Sequence, residues 1–296
     1  RCLITTHRIN SSQSSRAAAR EIEPFKPMRN IRLTLAYDGS YYVGWQVQPN
    51  GVSVQAVVEA AILKLTGEQS RLMAAGRTDS GVHAFGQVAN FTTESNIPCE
   101  KLRSGLQTYL PEDVVVRDVR EVDSEFHSTY SAKSKNYRYI IHNSRVPNPL
   151  LRQYTWRYST ELDATAMQEG ANRLLGTHDF RCFESHFPNK ATSVRTILEV
   201  RLVRQHIWNV WAPDGNSTLP NYSSSPDEPQ PEFIIFDIAG DGFLYNMVRA
   251  IVGTLVKVGR GTWSPDDVAR IIEGEDRSQA GETAPAHGLY LVEVKY

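Results

Sequence analysis

The chain has 296 residues, 41% of them apolar, enough for a globular core built as one large domain or two closely packed ones. No apolar run approaches the roughly 18 residues of a membrane-spanning helix. A formal net charge of -1 argues against a surface that binds polyanions everywhere, so a nucleic-acid partner would need a local basic cleft. Cys2, Cys99 and Cys182 are far apart and form no CxxC pair, which suggests neither a zinc knuckle nor a disulfide framework and fits a reducing compartment. Residues 1–29 are set apart from the rest. The first twenty carry Arg1, Arg8, Arg16 and Arg20 with no acid, among Ser, Thr and Ala. A flexible extension, a start placed too far upstream and a transit peptide all fit this composition. Cytoplasmic location is the expectation, ahead of organelle targeting.

Regular patterning begins after Met28. Ile31, Leu33, Leu35 and Tyr37 alternate with polar or small residues, as in a strand with one buried face. Ser53 can cap a helix through Val54, Val57, Val58, Ala61, Ile62 and Leu65, and Gly67 can end it. Strands over Leu72 to Ala75 and Phe85 to Phe91, a helix over Cys99 to Tyr109 and a strand over Val114 to Val122 follow. This β, α, β, β, α, β order is that of a ferredoxin-like unit, with helices layered on an antiparallel sheet. The second half repeats it less regularly. A strand over Lys135 to His142 puts Tyr137, Tyr139 and Ile141 on one face, and a helix runs from Ala164 to Leu175. A half-buried strand carries Thr196, Leu198, Val200 and Leu202. From about Gln205 to Pro231 a Pro-, Ser- and Asn-rich stretch suggests a disordered surface insertion. Then come a strand over Phe233 to Ile238, an apolar helix starting near Phe243, a helix opened by Ser264-Pro265 and stopped at Gly274, and a last strand from Gly288 to Tyr296. The expected class is therefore α+β. Its parts are residues 1–29, an α/β subdomain over 30–130 and a second over 131–296.

One loop has the composition of a site: Gly76-Arg77-Thr78-Asp79-Ser80-Gly81 joins two apolar strands and puts a cation, a hydroxyl and an anion side by side. Glycines at both ends allow positive φ and a close approach to the Asp79 carboxylate. Asp is also favoured in turns for structural reasons, so the loop alone does not establish chemistry.

The run GRTDSGVHAFGQVANF (76–91) resembles the signature of the tRNA pseudouridine synthase A (TruA) family. The resemblance continues in the family's order through AYDGSYYVGWQVQ (36–48), FHSTYSAKSKNYRYIIHN (126–143), HDFRCF (178–183), GFLYNMVRAIVG (242–253) and APAHGLYL (284–291). It implies two α/β subdomains sharing a bent, mainly antiparallel sheet, with the active site in the cleft between them. The implied reaction breaks the N1–C1′ bond of a uridine, turns the uracil and joins C5 to C1′, with no cofactor and no metal. The implied catalytic residues are Asp79, as nucleophile or as base at the ribose, its cationic partner Arg249, and Tyr137, which stacks on the uracil and takes part in proton transfer. Arg77 is implied to contact RNA beside the flipped nucleotide, and Leu289 to line the uracil pocket. The implied substrate is the tRNA anticodon arm at uridines 38, 39 and 40, bound by a homodimer in which one tRNA meets both subunits.

The residues themselves add conditions. A buried aspartate keeps its charge only if a cation offsets desolvation, and one at close range is worth about one to three pKa units. Flipping a base costs a few kcal/mol, and stacking on an aromatic such as Tyr137 returns roughly 1 to 3 kcal/mol. Lys133, Lys135, Arg138, Arg152 and Arg195 are candidates for phosphate contacts. The family's FHARFSA stands here as FHSTYSA, with Ser128 and Thr129 at positions where small and basic residues usually occur. Three alternatives compete: a synthase acting on other tRNA positions, an inactive RNA-binding module of the same fold, and a carboxylate-dependent hydrolase, which would need a second acid.

Overall fold

The computed structural model describes residues 28–185, 192–205 and 232–296. The expectations for the N-terminal extension and for the proline-rich insertion fall almost wholly outside these residues. In the first half, β1 (Arg29–Tyr37), α1 (Val54–Thr66), β2 (Met73–Ala74), β3 (His83–Thr93), α2 (Cys99–Tyr109) and β4 (Val114–Val122) follow in the expected order. Ile31, Leu33 and Leu35 of β1 are fully buried, as their alternation requires. The ends of α1 lie where its capping residues put them. The Ser53 side chain accepts from the Ala56 N–H at 3.2 Å, and Gly67, at φ +76, donates its N–H to Leu63 O.

The second half contains β5 (Ser134–His142), β6 (Trp156–Arg157), α3 (Ala164–Asn172), β7 (Gly176–Asp179), β8 (Val194–Gln205), β9 (Phe233–Gly240), α4 (Met247–Gly259), α5 (Pro265–Gly274) and β10 (Leu289–Lys295). One sheet holds all these strands in the order β4-β1-β3-β10-β5-β9-β8-β7, with β2 on β3 and β6 on β5. In each half the last strand lies beside the first, and the first lies beside the strand that precedes the second helix: β4-β1-β3 in one, β10-β5-β9 in the other. The fold is thus α+β, two ferredoxin-like units on a mainly antiparallel sheet. β10 is the seam between them. It runs antiparallel to β5, pairing Leu289 with Tyr139 and Leu291 with Tyr137, and parallel to β3, pairing Tyr290 with His83 and Leu291 with Ala84. The end of the glycine-bounded loop is therefore stitched to the C-terminal strand.

Strand ends shift by one or two residues, and two helix boundaries differ from the sequence pattern. The apolar helix begins at Met247, not near Phe243, because Asn246 takes a left-handed backbone angle of φ +62 that a continuing helix cannot accommodate. Tyr245 therefore lies outside the helix that carries Arg249 and Gly253. Helix α3 ends at Asn172 instead of Leu175. The short strands β6 and β7 carry too little alternation to be seen in sequence. Helix α4 is buried on nearly all sides, as expected of a helix apolar all round, and at Gly253 the Glu282 carbonyl occupies the place a Cβ would take. Among the described residues no helix is long and apolar enough to cross a membrane.

Candidate active site

The loop from Gly76 to Gly81 is braced by the stretch 36–48. The Tyr37 hydroxyl and Thr78 Oγ1 are 2.7 Å apart, the Trp45 N–H donates to Thr78 O at 3.0 Å, and Ser80 Oγ donates to Tyr42 O at 3.1 Å. From β3, Gln87 Nε2 donates to Gly76 O at 2.7 Å. Gly44 allows the close contact: at φ +104, a Cβ on it would lie 2.7 Å from Thr78 O. Gly44→Ala is therefore expected to cost about 2 kcal/mol or more from backbone strain alone, seen as a lowered urea midpoint with a larger proportional loss of activity. Of the loop's two glycines, Gly81 has the positive φ (+78) that the sequence suggested, whereas Gly76 does not.

Arg77, Asp79, Tyr137, Arg249 and Leu289, contributed by the loop, β5, α4 and β10, line one cavity of about 440 Å³. That volume suits a small ligand or an extruded nucleotide. The Arg249 guanidinium enters from the first turn of α4, with Nη1 3.5 Å from Asp79 Oδ2. Its other contacts are shorter: Nε donates to Ala284 O at 2.7 Å and Nη1 to Asn246 Oδ1 at 2.8 Å. Burial raises the Asp79 pKa above the ordinary carboxylate value, and Arg249 offsets this only in part. The guanidinium is held mainly by neutral acceptors, and its ion pair with Asp79 is loose.

Tyr137 is 8% exposed and meets Phe243 edge-on, ring centroids 5.1 Å apart. Burial, and then the nearby Tyr37 and Asp79, raise its pKa well above that of a free phenol. The ring is a neutral phenol at neutral pH. Tyr139, two residues on, is fully buried and donates its hydroxyl to Pro285 O at 2.8 Å.

The proposed phosphate contacts divide. Arg138 is buried and pairs with Asp237 across adjacent strands through two bonds, Nε to Oδ1 at 2.7 Å and Nη2 to Oδ2 at 2.9 Å. Arg195 is also buried and donates to Thr192 O at 2.9 Å. Neither presents its charge to a bound polyanion. Arg77, Lys133 and Arg152 are exposed, and Lys135 is half-buried. Ser128 and Thr129 serve the packing of their own loop, Ser128 Oγ donating to Asn90 Oδ1 at 2.7 Å and Thr129 Oγ1 to Ala74 O at 2.6 Å. Sequence reading missed Asn246 and Glu184, both in the cavity lining. Asn246 was hidden inside an apparent helix, and Glu184 has no local pattern to mark it. Among the described residues no three His, Cys, Asp or Glu side chains are grouped to hold a metal ion.

The family described as tRNA pseudouridine synthase matches residues 34–131 and 171–296 of this chain. The chain belongs to the tRNA pseudouridine synthase family. Within it, tRNA pseudouridine synthase A of Acetivibrio thermocellus is 48% identical over 269 residues, 91% of this chain and 100% of that protein. The protein of the same name from a Thermoanaerobacter species is 42% identical with the same coverage of both chains, and that of Pelobacter propionicus is 43% identical, again over 91% and 100%. The two stretches matched to the tRNA pseudouridine synthase family contain Arg77, Asp79, Arg249 and Leu289, while Tyr137 lies between them.

Proposed function

We propose that this chain isomerises uridine to pseudouridine in the anticodon stem-loop of tRNA, at positions 38, 39 and 40, with Asp79 as the essential carboxylate. The observation that carries this is the cavity in which Asp79, Arg249 and Tyr137 meet, within a chain of the synthase family. Asp79 acts as nucleophile or as base at the ribose; its raised pKa makes it a stronger base than an exposed carboxylate. Arg249 supplies the cation that keeps the acid ionised in a desolvated site. Tyr137 stacks on the flipped uracil, and as a neutral phenol it is suited to donate a proton and not to accept one. When C5 bonds to C1′, the C5 proton passes to solvent water and N1 takes a proton up from it, so the atoms balance without a co-reactant. Arg77 contacts the RNA beside the extruded nucleotide, and Leu289 bounds the uracil pocket.

On this reading the two α/β subdomains divide at about residue 130, the enzyme works in the cytoplasm, and it acts as a homodimer with one tRNA meeting both subunits. Glu184 lends the hydrolase alternative one supporting observation, since it is a second carboxylate in the cavity lining; its Oε2 is engaged by Ser193 Oγ at 2.6 Å. The product separates the two, because a hydrolase releases free uracil and a synthase retains it. Transcripts of one tRNA with uridine 38, 39 or 40 replaced in turn by cytidine test the substrate. Pseudouridine-specific primer-extension stops are expected at each remaining uridine of the three. Stops confined to another arm would overturn the assignment.

A further inference from the structure

Asn246 stands out beside the reacting groups because of its backbone. It is one of two non-glycine residues among those described with positive φ, the other being Glu275. Asn tolerates this region better than most residues, so a turn would suffice to explain the backbone. The side chain does more. Its Nδ2 donates to Ser185 Oγ at 2.8 Å, which leaves Oδ1 facing Arg249 Nη1 at 2.8 Å. A guanidinium only donates, so the amide orientation is dictated by Arg249. Together with the bond from Nε to Ala284 O at 2.7 Å, this fixes the guanidinium on two neutral acceptors, with Asp79 Oδ2 left at 3.5 Å.

We propose that Asn246 is a positioning residue, whose side-chain amide holds the Arg249 guanidinium beside Asp79 while preventing it from closing into a short ion pair. A short bidentate pair would stabilise the carboxylate more strongly and occupy the oxygens that must reach the substrate. The loose pair keeps Asp79 available and more basic. This deepens the reading of Asp79 and Arg249 as the reacting pair, and its bearing on rate rests on that reading.

The other titratable groups around the pair are Arg77 on the loop, Tyr130 ahead of β5, Lys135, Tyr137 and Tyr139 on β5, Glu184 after β7, Tyr245 just before α4, and His287 before β10, whose pKa is lowered by burial, then by His83 and Arg249. All of them are retained in the two Asn246 variants, and His287 alone is replaced in a control. Asn246→Gly accepts the same left-handed backbone and removes only the amide. Arg249 then loses one short acceptor and closes on Asp79. Asn246→Asp keeps the acceptor and adds a negative charge. The two substitutions should move Asp79 in opposite directions.

The readout is the 13C carboxyl signal of Asp79 followed by NMR through a pH titration of aspartate-labelled protein, the signal being assigned by its absence in Asp79→Asn. The expected midpoint falls in Asn246→Gly and rises in Asn246→Asp, each by about one pH unit, and the acidic limb of the rate profile moves with it. A repeat in a His287→Gln background should leave both shifts in place. Shifts of the same sign, or none in either variant, would reduce Asn246 to a turn residue. If the wild type forms no pseudouridine, the functional reading fails while the carboxyl titration still decides the positioning role.

Discussion

Asp79→Asn is expected to abolish pseudouridine formation, by at least about ten-thousand-fold, the scale seen when an enzyme loses a group that acts on the reacting bond. The shape of the side chain is preserved and the loop contacts through Thr78, Ser80 and Gly76 are untouched, so tRNA binding should survive. Stability should not suffer at neutral pH. The folded-state pKa of Asp79 is raised by burial, so the folded chain holds this proton more tightly than the unfolded one. The contribution of Asp79 to stability is then fully present below the unfolded carboxylate pKa and is lost as pH rises through the folded value. The asparagine variant has no such loss. Its Tm relative to wild type should therefore improve from pH 4 to pH 7, and thermal scans at the two values check it. A Tm difference that worsens over that interval would mean that Arg249 outweighs burial and Asp79 is stabilised as the anion.

The second large effect is expected at Arg249. Arg249→Ala removes the nearest cation from a carboxylate already disfavoured by burial, so the Asp79 pKa should climb further and the acidic limb of activity should move to higher pH. A loss of about a hundred- to a thousand-fold is expected at neutral pH, comparable to removal of a preorganised charge-stabilising donor. Arg249→Lys should recover little, since a lysine ammonium cannot reproduce the planar fork that reaches Ala284 O, Asn246 Oδ1 and Asp79 together. Near-normal activity of either variant, measured across pH, would make Arg249 a packing residue of α4.

Where the information is local, the sequence was readable. Ser53 and Gly67 mark the ends of α1, and Leu110 with Pro111 marks the end of α2, because caps and breakers act within a turn of their own position. The order of elements in the first unit follows from periodicity for the same reason. The start of α4 was not readable, since an apolar stripe continues through Leu244 while the helix is interrupted by the left-handed Asn246. Arg138, a candidate phosphate contact by sequence, is instead paired inside the sheet, because its partner Asp237, 99 residues away, meets it only through the β5–β9 register. The candidate site divides in the same way. Loop composition pointed to Asp79, but its proximity to Arg249, 170 residues on, follows from packing that no local pattern encodes. Only the resemblance to the synthase family joined the two beforehand. Asn246 escaped both routes, since neither its backbone angle nor its bond to Arg249 leaves a trace in spacing.

If the proposed function holds, a uridine loses its C5 proton in the cavity between Asp79, Tyr137 and Arg249. The most direct measurement follows tritium release from tRNA carrying 5-tritiated uridine, with wild type and Asp79→Asn side by side and the base content of the product analysed. Release is expected from the wild type, matched by pseudouridine in the tRNA with no free uracil, and none from the variant. Equal release by the variant, or free uracil in place of pseudouridine, would contradict the proposed function.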